Sequence, residues 1–288
     1  MKSMLGSLSL RYLITIAIAL SSYLAQAQNM RVMSYNIRYK NTIDSINGWE
    51  FRKENVVGLI RYHQADIVGL QEAQADQMAD LEKLLPEFGW YGVPRVEGKA
   101  GEYTAILYRK DRFKVLDSDT FWFSETPHVK GSKSWDAFYP RTASWCKLSD
   151  RKSRREFYFF NTHLDHRGDI ARQKSAEVLH AQITALTGQR AVILTGDFNA
   201  SPTSITYQKV VEGGKLMDAY MQTKTPHYGP VNTSSGFWVS KGPIRSRIDF
   251  IFVNAKVRVL QHATLTDQQE GRYYSDHLPV MAVVDLTR

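Results

Sequence analysis

The chain has 288 residues, with 37 basic against 29 acidic side chains, a formal charge of +8 and one cysteine. A lone thiol excludes an internal disulfide, and a chain of this length can bury an adequate core without one. The positive balance favours anionic partners but does not single out nucleic acid.

Residues 1–27 have the form of a secretory signal: Lys2 and Arg11 make a positive start, Tyr12 to Leu20 is apolar, and Ala25-Gln26-Ala27 is a small-x-small cleavage site. The apolar run is too short to cross a bilayer, so the mature chain is expected to hold no integral membrane segment. Cleavage between Ala27 and Gln28 would release a periplasmic or secreted chain of 35 basic and 29 acidic residues. No repeat, low-complexity tract or Pro/Gly/Ser linker interrupts the rest of the chain. Residues 28–288 therefore read as one domain, expected to be monomeric.

Apolar runs rich in β-branched and aromatic residues predict strands over Arg31 to Tyr35, Asp66 to Leu70, Thr104 to Tyr108, Lys114 to Phe123, Thr142 to Leu148 and Glu156 to Thr162. Further strands are predicted over Ala191 to Thr195, Ile248 to Val253, Val257 to Ala263 and Pro279 to Asp285. Apolar residues at helical spacing predict helices over Glu50 to His63, Ala75 to Leu85 and Ile170 to Thr187, the last stopped by Gly188. Many strands follow one another directly, which argues against a purely alternating parallel sheet. The expected class is α/β: two packed, mixed, largely antiparallel sheets with helices outside. Cys146 sits among apolar residues and reads as a buried, inert thiol. Arg151-Lys152-Ser153-Arg154-Arg155 reads as a solvated hairpin turn. Long polar loops at Asn41 to Trp49, Ser124 to Pro140, Thr223 to Arg247 and Thr266 to Ser275 read as functional rims.

Four strands end in polar groups: Gly69-Leu70-Gln71-Glu72, Asn161-Thr162-His163, Thr195-Gly196-Asp197-Phe198-Asn199, and the Ser275-Asp276-His277 that precedes Val280 to Val284. Chemistry placed on several strand ends is held by a rigid sheet. Carboxylates, amides and imidazoles suit an oxygen-ligated cation working on a phosphate. Asp197 and Asn199 straddle Phe198, so an extended segment turns both to one side.

Taken in order, Met33-Ser34-Tyr35-Asn36, Leu70-Gln71-Glu72, Asn161-Thr162-His163-Leu164, Gly196-Asp197-Phe198-Asn199, Arg247-Ile248-Asp249-Phe250-Ile251 and Ser275-Asp276-His277 resemble the endonuclease/exonuclease/phosphatase family. Each segment alone is a weak signal; six in register are a strong one. The resemblance implies a four-layer, deoxyribonuclease-like α/β sandwich. It also implies that Glu72 is the principal ligand of Mg²⁺ or Mn²⁺, assisted by Asn36 and Asp276. Asp197 would orient or deprotonate the attacking water, and Asn199 would donate to a phosphate oxygen or to the leaving group. His277 would bind the phosphate as a cation held by Asp249. His163 would stabilise charge at phosphorus, supported by Glu102. Arg141, opening a strand after Pro140, reads equally as a phosphate clamp or as a partner of a surface acid. His166 reads as a rim residue. Trp135, Phe138, Tyr139, Phe237 and Trp238 read as base or sugar stackers or as packed lids.

The implied reaction is metal-dependent hydrolysis of a phosphate ester by direct in-line water attack, on a phosphodiester or a phosphomonoester. The net charge leans toward a nuclease. A phosphatase, or a phospholipid or sugar-phosphate diesterase, shares every core residue and stands as the alternative. A catalytically silent binding protein fits less well, because every key residue type is present.

Overall fold

The computed structural model describes residues 29–98, 101–240 and 242–287. The expected signal and its cleavage site lie outside the described residues. All ten predicted strands form: β1 (Met30–Asn36), β2 (Ile67–Ala73), β4 (Tyr103–Arg109), β5 (Phe113–Trp122), β6 (Thr142–Asp150), β7 (Glu156–His163), β8 (Ala191–Asp197), β10 (Asp249–Val253), β11 (Val257–Thr264) and β14 (Val280–Leu286). The three predicted helices form as α1 (Trp49–Tyr62), α2 (Ala75–Leu84) and α3 (Asp169–Thr187). Besides two 3-10 turns at Thr42–Asn47 and Glu212–Gly214, the remainder are pieces too short to show a period. They are strands β3 (Phe88–Tyr91), β9 (Met217–Asp218), β12 (Gln268–Gln269) and β13 (Arg272–Tyr273), and helices α4 (Ile205–Val211) and α5 (Ala219–Gln222).

One sheet runs β11-β14-β1-β2-β4-β3 and the other β5-β6-β7-β8-β10-β9. Each has one parallel pair at its centre, β1 with β2 and β7 with β8, and antiparallel pairs elsewhere. The facing sides share a core of Val32, Ile67, Ile106, Phe157, Phe159, Ile193 and Ile251. Helices α1 and α2 cover the outer side of the first sheet through Val56, Ile60, Met78 and Leu81. Helix α3 covers the outer side of the second through Leu179 and Ile183, against Trp145, Phe160 and Leu194. This is the expected four-layer sandwich. Strand β8 is buried at every residue because both of its faces are covered, which explains its unbroken apolar run.

Register carries the polar strand ends to one edge. Asn36 pairs with Gln71, His163 with Asp197, and Asp197 with Asp249. Beneath that edge Asn161 joins the two sheets: its amide donates to the carbonyls of Leu70 and Ala105 at 2.7 and 2.9 Å, and its Oδ1 accepts from Gln71 at 2.7 Å. Gly69 makes room for this network, since a Cβ there would lie 2.1 Å from Thr195 Oγ1 and 2.6 Å from Asn161 Oδ1. Cys146 is fully buried in the inter-sheet core, and burial pushes its thiol up to about 12, as expected of an inert residue. The basic run after Asp150 is the turn joining β6 to β7, with Asp150 accepting from the Lys152 amide at 3.0 Å.

Away from that edge, His262 on β11 lies buried against His227, their Nδ1 atoms 2.9 Å apart. Burial first, then His227 and Arg247, pushes His262 down to about 3. An unfolded imidazole titrates near 6.5. The unfolded chain therefore takes up a proton that the folded one refuses, and stability falls as pH drops from about 6.5 toward 3, by up to about 1.4 kcal/mol per pH unit. His262→Gln is expected to flatten this fall in urea midpoints measured between about pH 6.5 and 4.5. A variant that tracks the wild type across that window would place the proton uptake elsewhere.

Candidate active site

A cleft of about 610 Å³ opens at the polar edge of the sandwich, lined by Glu72, Glu102, Arg141, His163, Asp197, Asn199, Asp276 and His277. Asn36 and Asp249 stand directly behind it, bonded to residues in the lining. All ten residues singled out in the sequence thus meet in one place.

Glu72 lies at a register shift between β2 and β4, and its backbone has φ 63°. Left-handed backbone is costly for a side chain with a Cβ and concentrates at functional sites. The bulge breaks the alternation of the strand and turns the carboxylate into the cleft. There its Oε2 accepts the Tyr39 amide at 3.1 Å, and its Oε1 accepts from Asn36 Nδ2 at 3.1 Å. The same Nδ2 donates to Asp197 Oδ2 at 3.0 Å, while Asn36 Oδ1 accepts the Arg38 amide at 3.0 Å. Asn36 therefore enters the site as a donor bridging two carboxylates, while its oxygen accepts from the backbone.

Asn199, also left-handed at φ 48°, donates its amide N–H to Asp197 Oδ1 at 2.9 Å. Its Nδ2 reaches the Leu164 carbonyl and His163 Nε2, both at 3.1 Å. A carbonyl can only accept, so this contact fixes the Asn199 amide orientation. His163 Nε2 must then accept, leaving its proton on Nδ1. Burial, then Arg141 and Arg95, pushes His163 well below its usual range, so the ring is neutral. His277 is the opposite case. Burial works against its charge, but Asp249 and Asp197 outweigh it and hold His277 well above the usual range. Asp249 Oδ2 accepts from His277 Nδ1 at 2.9 Å and from Thr233 Oγ1 at 2.5 Å.

Glu102 differs from expectation. Its Oε2 lies 4.0 Å from His163 Nδ1, beyond hydrogen-bond reach, while its Oε1 accepts from Arg95 Nη2 at 2.7 Å. Its carboxylate is engaged chiefly by a cation that the sequence did not single out. Asp276 lies 3.8 Å from Arg38, and burial raises it. Among the expected stackers, Tyr139 is half-exposed at the cleft beside His166, whereas Phe237 is buried under Arg52 and acts as a lid. Two further arginines were missed. Arg38, left-handed at φ 56°, lines the cleft and binds Asp44 at 3.1 Å through both Nε and Nη2. Arg52, buried on α1, donates to the carbonyls of Ile37, Arg38, Asn47 and Tyr274, tying together the loops after β1 and before His277. A charge at position 52 on the same face as Val56 and Leu59 was the available signal. Arg95 carries none.

The donor set fits a hard divalent cation. Ligand atoms of Glu72, His163 and Asp197 lie within 4.8 Å of one another, as do those of Asp197, Asp249 and His277. Asp197 is raised to about 7, first by burial and then by Asp249, against the opposing pull of His277. A cation bound beside Asp197 would offset the repulsion from Asp249 and favour its charged form.

The sequence profile of the endonuclease/exonuclease/phosphatase family matches residues 33–277. A protein of that family from Bacteroides thetaiotaomicron superposes with a TM-score of 0.84 at 38% identity, over 89% of this chain and 98% of its own. A mannosyl-6-phosphatase from the same species superposes with a TM-score of 0.84 at 37% identity, over 88% of this chain and 99% of its own. Human Nocturnin is 26% identical over 271 residues, 83% of this chain and 59% of Nocturnin. Mouse Protein angel homolog 2 is 25% identical over 63% of this chain and 37% of its own length, so the chain spans less than two thirds of both these curated relatives. With a profile running from the first strand to His277, and near-complete coverage of solved structures at this identity, the chain belongs to the endonuclease/exonuclease/phosphatase family, whose members hydrolyse phosphoester bonds.

Proposed function

We propose that this chain is an exported, monomeric, divalent-metal-dependent phosphomonoesterase acting on a phosphorylated sugar. The observation that carries the hydrolytic reading is the meeting of Glu72, Asp197, Asp276, His163 and His277 in one cleft, with Asp249 bonded to His277 from behind. The monoester reading is supported by 37% identity to the mannosyl-6-phosphatase, of whose chain 99% is covered. Export is supported by the form of residues 1–27.

Glu72, with Asp197 and Asp276 nearby, would hold Mg²⁺ or Mn²⁺. When bound, such an ion polarises the phosphoryl oxygens and lowers the cost of charge on the leaving group. Asp197, raised to about 7, is suited to orient the attacking water and take its proton near neutral pH. His277 and Arg141 offer positive donors to the non-bridging oxygens. Asn199, with its backbone pinned by Asp197, and the neutral His163 complete a fixed set of dipoles around the phosphorus. No covalent intermediate on the chain is needed.

A second reading, the nuclease that the charge favours, has a specific support. A Ccr4 3'-5'-exoribonuclease subunit from Aspergillus niger is 24% identical over 65% of this chain. Phosphate release from mannose 6-phosphate and other hexose phosphates, and shortening of single-stranded RNA, single-stranded DNA and duplex DNA, should be compared with Mg²⁺ and with EDTA. Metal-dependent phosphate release from a sugar phosphate, exceeding strand cleavage, is expected. RNA or DNA shortening without release from any sugar phosphate would replace this reading with the nuclease.

A further inference from the structure

Two guanidinium groups, Arg95 and Arg141, stand in the cleft wall beside His163 and are 8% and 5% exposed. Arg141 Nη2 donates to His166 Nδ1 at 3.0 Å, while its Nε and Nη1 are buried and have no hydrogen-bond partner among the described residues. The nearest acid, Asp165, lies 3.6 Å away. It is already committed, accepting the amides of Phe138, Tyr139, Arg167 and Gly168 at 2.8 to 3.1 Å. Asp165 balances the charge of Arg141 but does not satisfy its donors. Arg95 is held from two sides: Glu102 accepts from its Nη2 at 2.7 Å, and the guanidinium lies 4.6 Å from the centre of the Tyr139 ring.

Unpaired donors on a buried cation are costly and point to a ligand that completes them. The ligand chemistry follows from charge and shape. A phosphomonoester dianion presents three terminal oxygens and two charges; a diester presents two oxygens and one charge, and its second ester arm needs room. We propose that Arg95 and Arg141 together form the subsite for the terminal oxygens of a phosphomonoester, and that this pair makes the enzyme select monoesters over diesters. Glu102 is then the positioning residue for Arg95. The assignment rests on the phosphomonoesterase reading and gives it a structural cause. A diester bound here would leave Arg141 donors unmade while pressing its extra arm toward the Tyr139 and Arg95 wall, so discrimination comes from lost pairing as well as from shape.

The test uses the full mature enzyme with Mg²⁺. It compares kcat/KM for p-nitrophenyl phosphate and bis-p-nitrophenyl phosphate in wild type, Arg95→Gln and Arg141→Gln, together with competitive inhibition by inorganic phosphate. The two substrates share a leaving group, so their ratio reports recognition of the phosphoryl group. In each variant the monoester-to-diester ratio is expected to fall at least about tenfold, and inhibition by phosphate to weaken in step. A ratio within about twofold of wild type in both variants, with phosphate inhibition retained, overturns the assignment. Should Arg141→Gln fail to fold, Arg95→Gln decides by the same two readouts. A wild-type enzyme that cleaves the diester faster than the monoester sinks the phosphatase reading itself. A wild-type monoesterase whose variants keep the ratio sinks only the guanidinium pair.

Discussion

Glu72→Gln is expected to lower kcat/KM by about 10²–10³-fold at fixed Mg²⁺ and to raise the metal concentration needed for half-maximal rate. The change removes one charge and little volume. Glu72 Oε1 and Oε2 each accept a hydrogen bond from the chain, so a glutamine can keep at most one of them without rearrangement. Burial pushes this carboxylate toward protonation, yet His277, Asn36, the Tyr39 amide and Arg38 together keep it lowered and charged. The folded site thus favours this carboxylate as an anion through its own partners, before any cation binds. Two melting series separate the metal role from a structural one. In EDTA the variant should melt below the wild-type midpoint, by about 2–4 °C for each kcal/mol of pairing lost with His277, Asn36, the Tyr39 amide and Arg38. With Mg²⁺ the wild type should gain stability and the variant much less, because only a native state with its ligand intact binds the ion. Activity within about fivefold of wild type at saturating Mg²⁺ would remove Glu72 from the ligand set.

The strand ends were legible because β-strands are periodic and apolar, and a carboxylate or imidazole at the end of such a run gains nothing from burial. Glu72, His163, Asp197 and His277 were found this way, and register then aligned them. Their mutual geometry was not legible. The left-handed turn at Glu72 is set by a bulge against β4, a partner far along the chain. The turn of the Asn36 oxygen toward the backbone depends on where the Arg38 amide falls. Arg95 and Arg38 come from loops, where no period marks a side chain as inward. Glu102 was read from a motif as the support of His163. In the fold Arg95 stands within reach and takes the carboxylate, since a full charge outcompetes a neutral imidazole.

Asp249 supports His277 through both a hydrogen bond and a charge. Asp249 Oδ2 accepts from both His277 Nδ1 and Thr233 Oγ1, and Oδ1 is buried with no partner among the described residues. Asp249→Asn keeps the shape but replaces one acceptor by an NH₂ group. If the amide oxygen stays toward Nδ1, the imidazole keeps its tautomer but loses the adjacent charge. If the NH₂ turns toward Nδ1, the ring must give up that proton. Both outcomes lower the population of charged His277, because Asp249 is the first of the groups that raise it against burial. A raised group holds its proton up to its folded pKa, so lowering that pKa moves loss of the cation to lower pH. The variant is expected to lose about 10²–10⁴-fold in kcat, with a smaller change in KM, and the alkaline limb of its rate profile should shift to lower pH. Folding should be nearly unchanged, since the substitution removes a buried charge that also repels Asp197. Thr233→Val should show a milder form of the same shift, since it removes one donor to Asp249 and leaves the carboxylate. Unchanged kcat in Asp249→Asn across the pH range would sever the link between this acid and the imidazole, and with it the assignment of His277 as the cation at the phosphate.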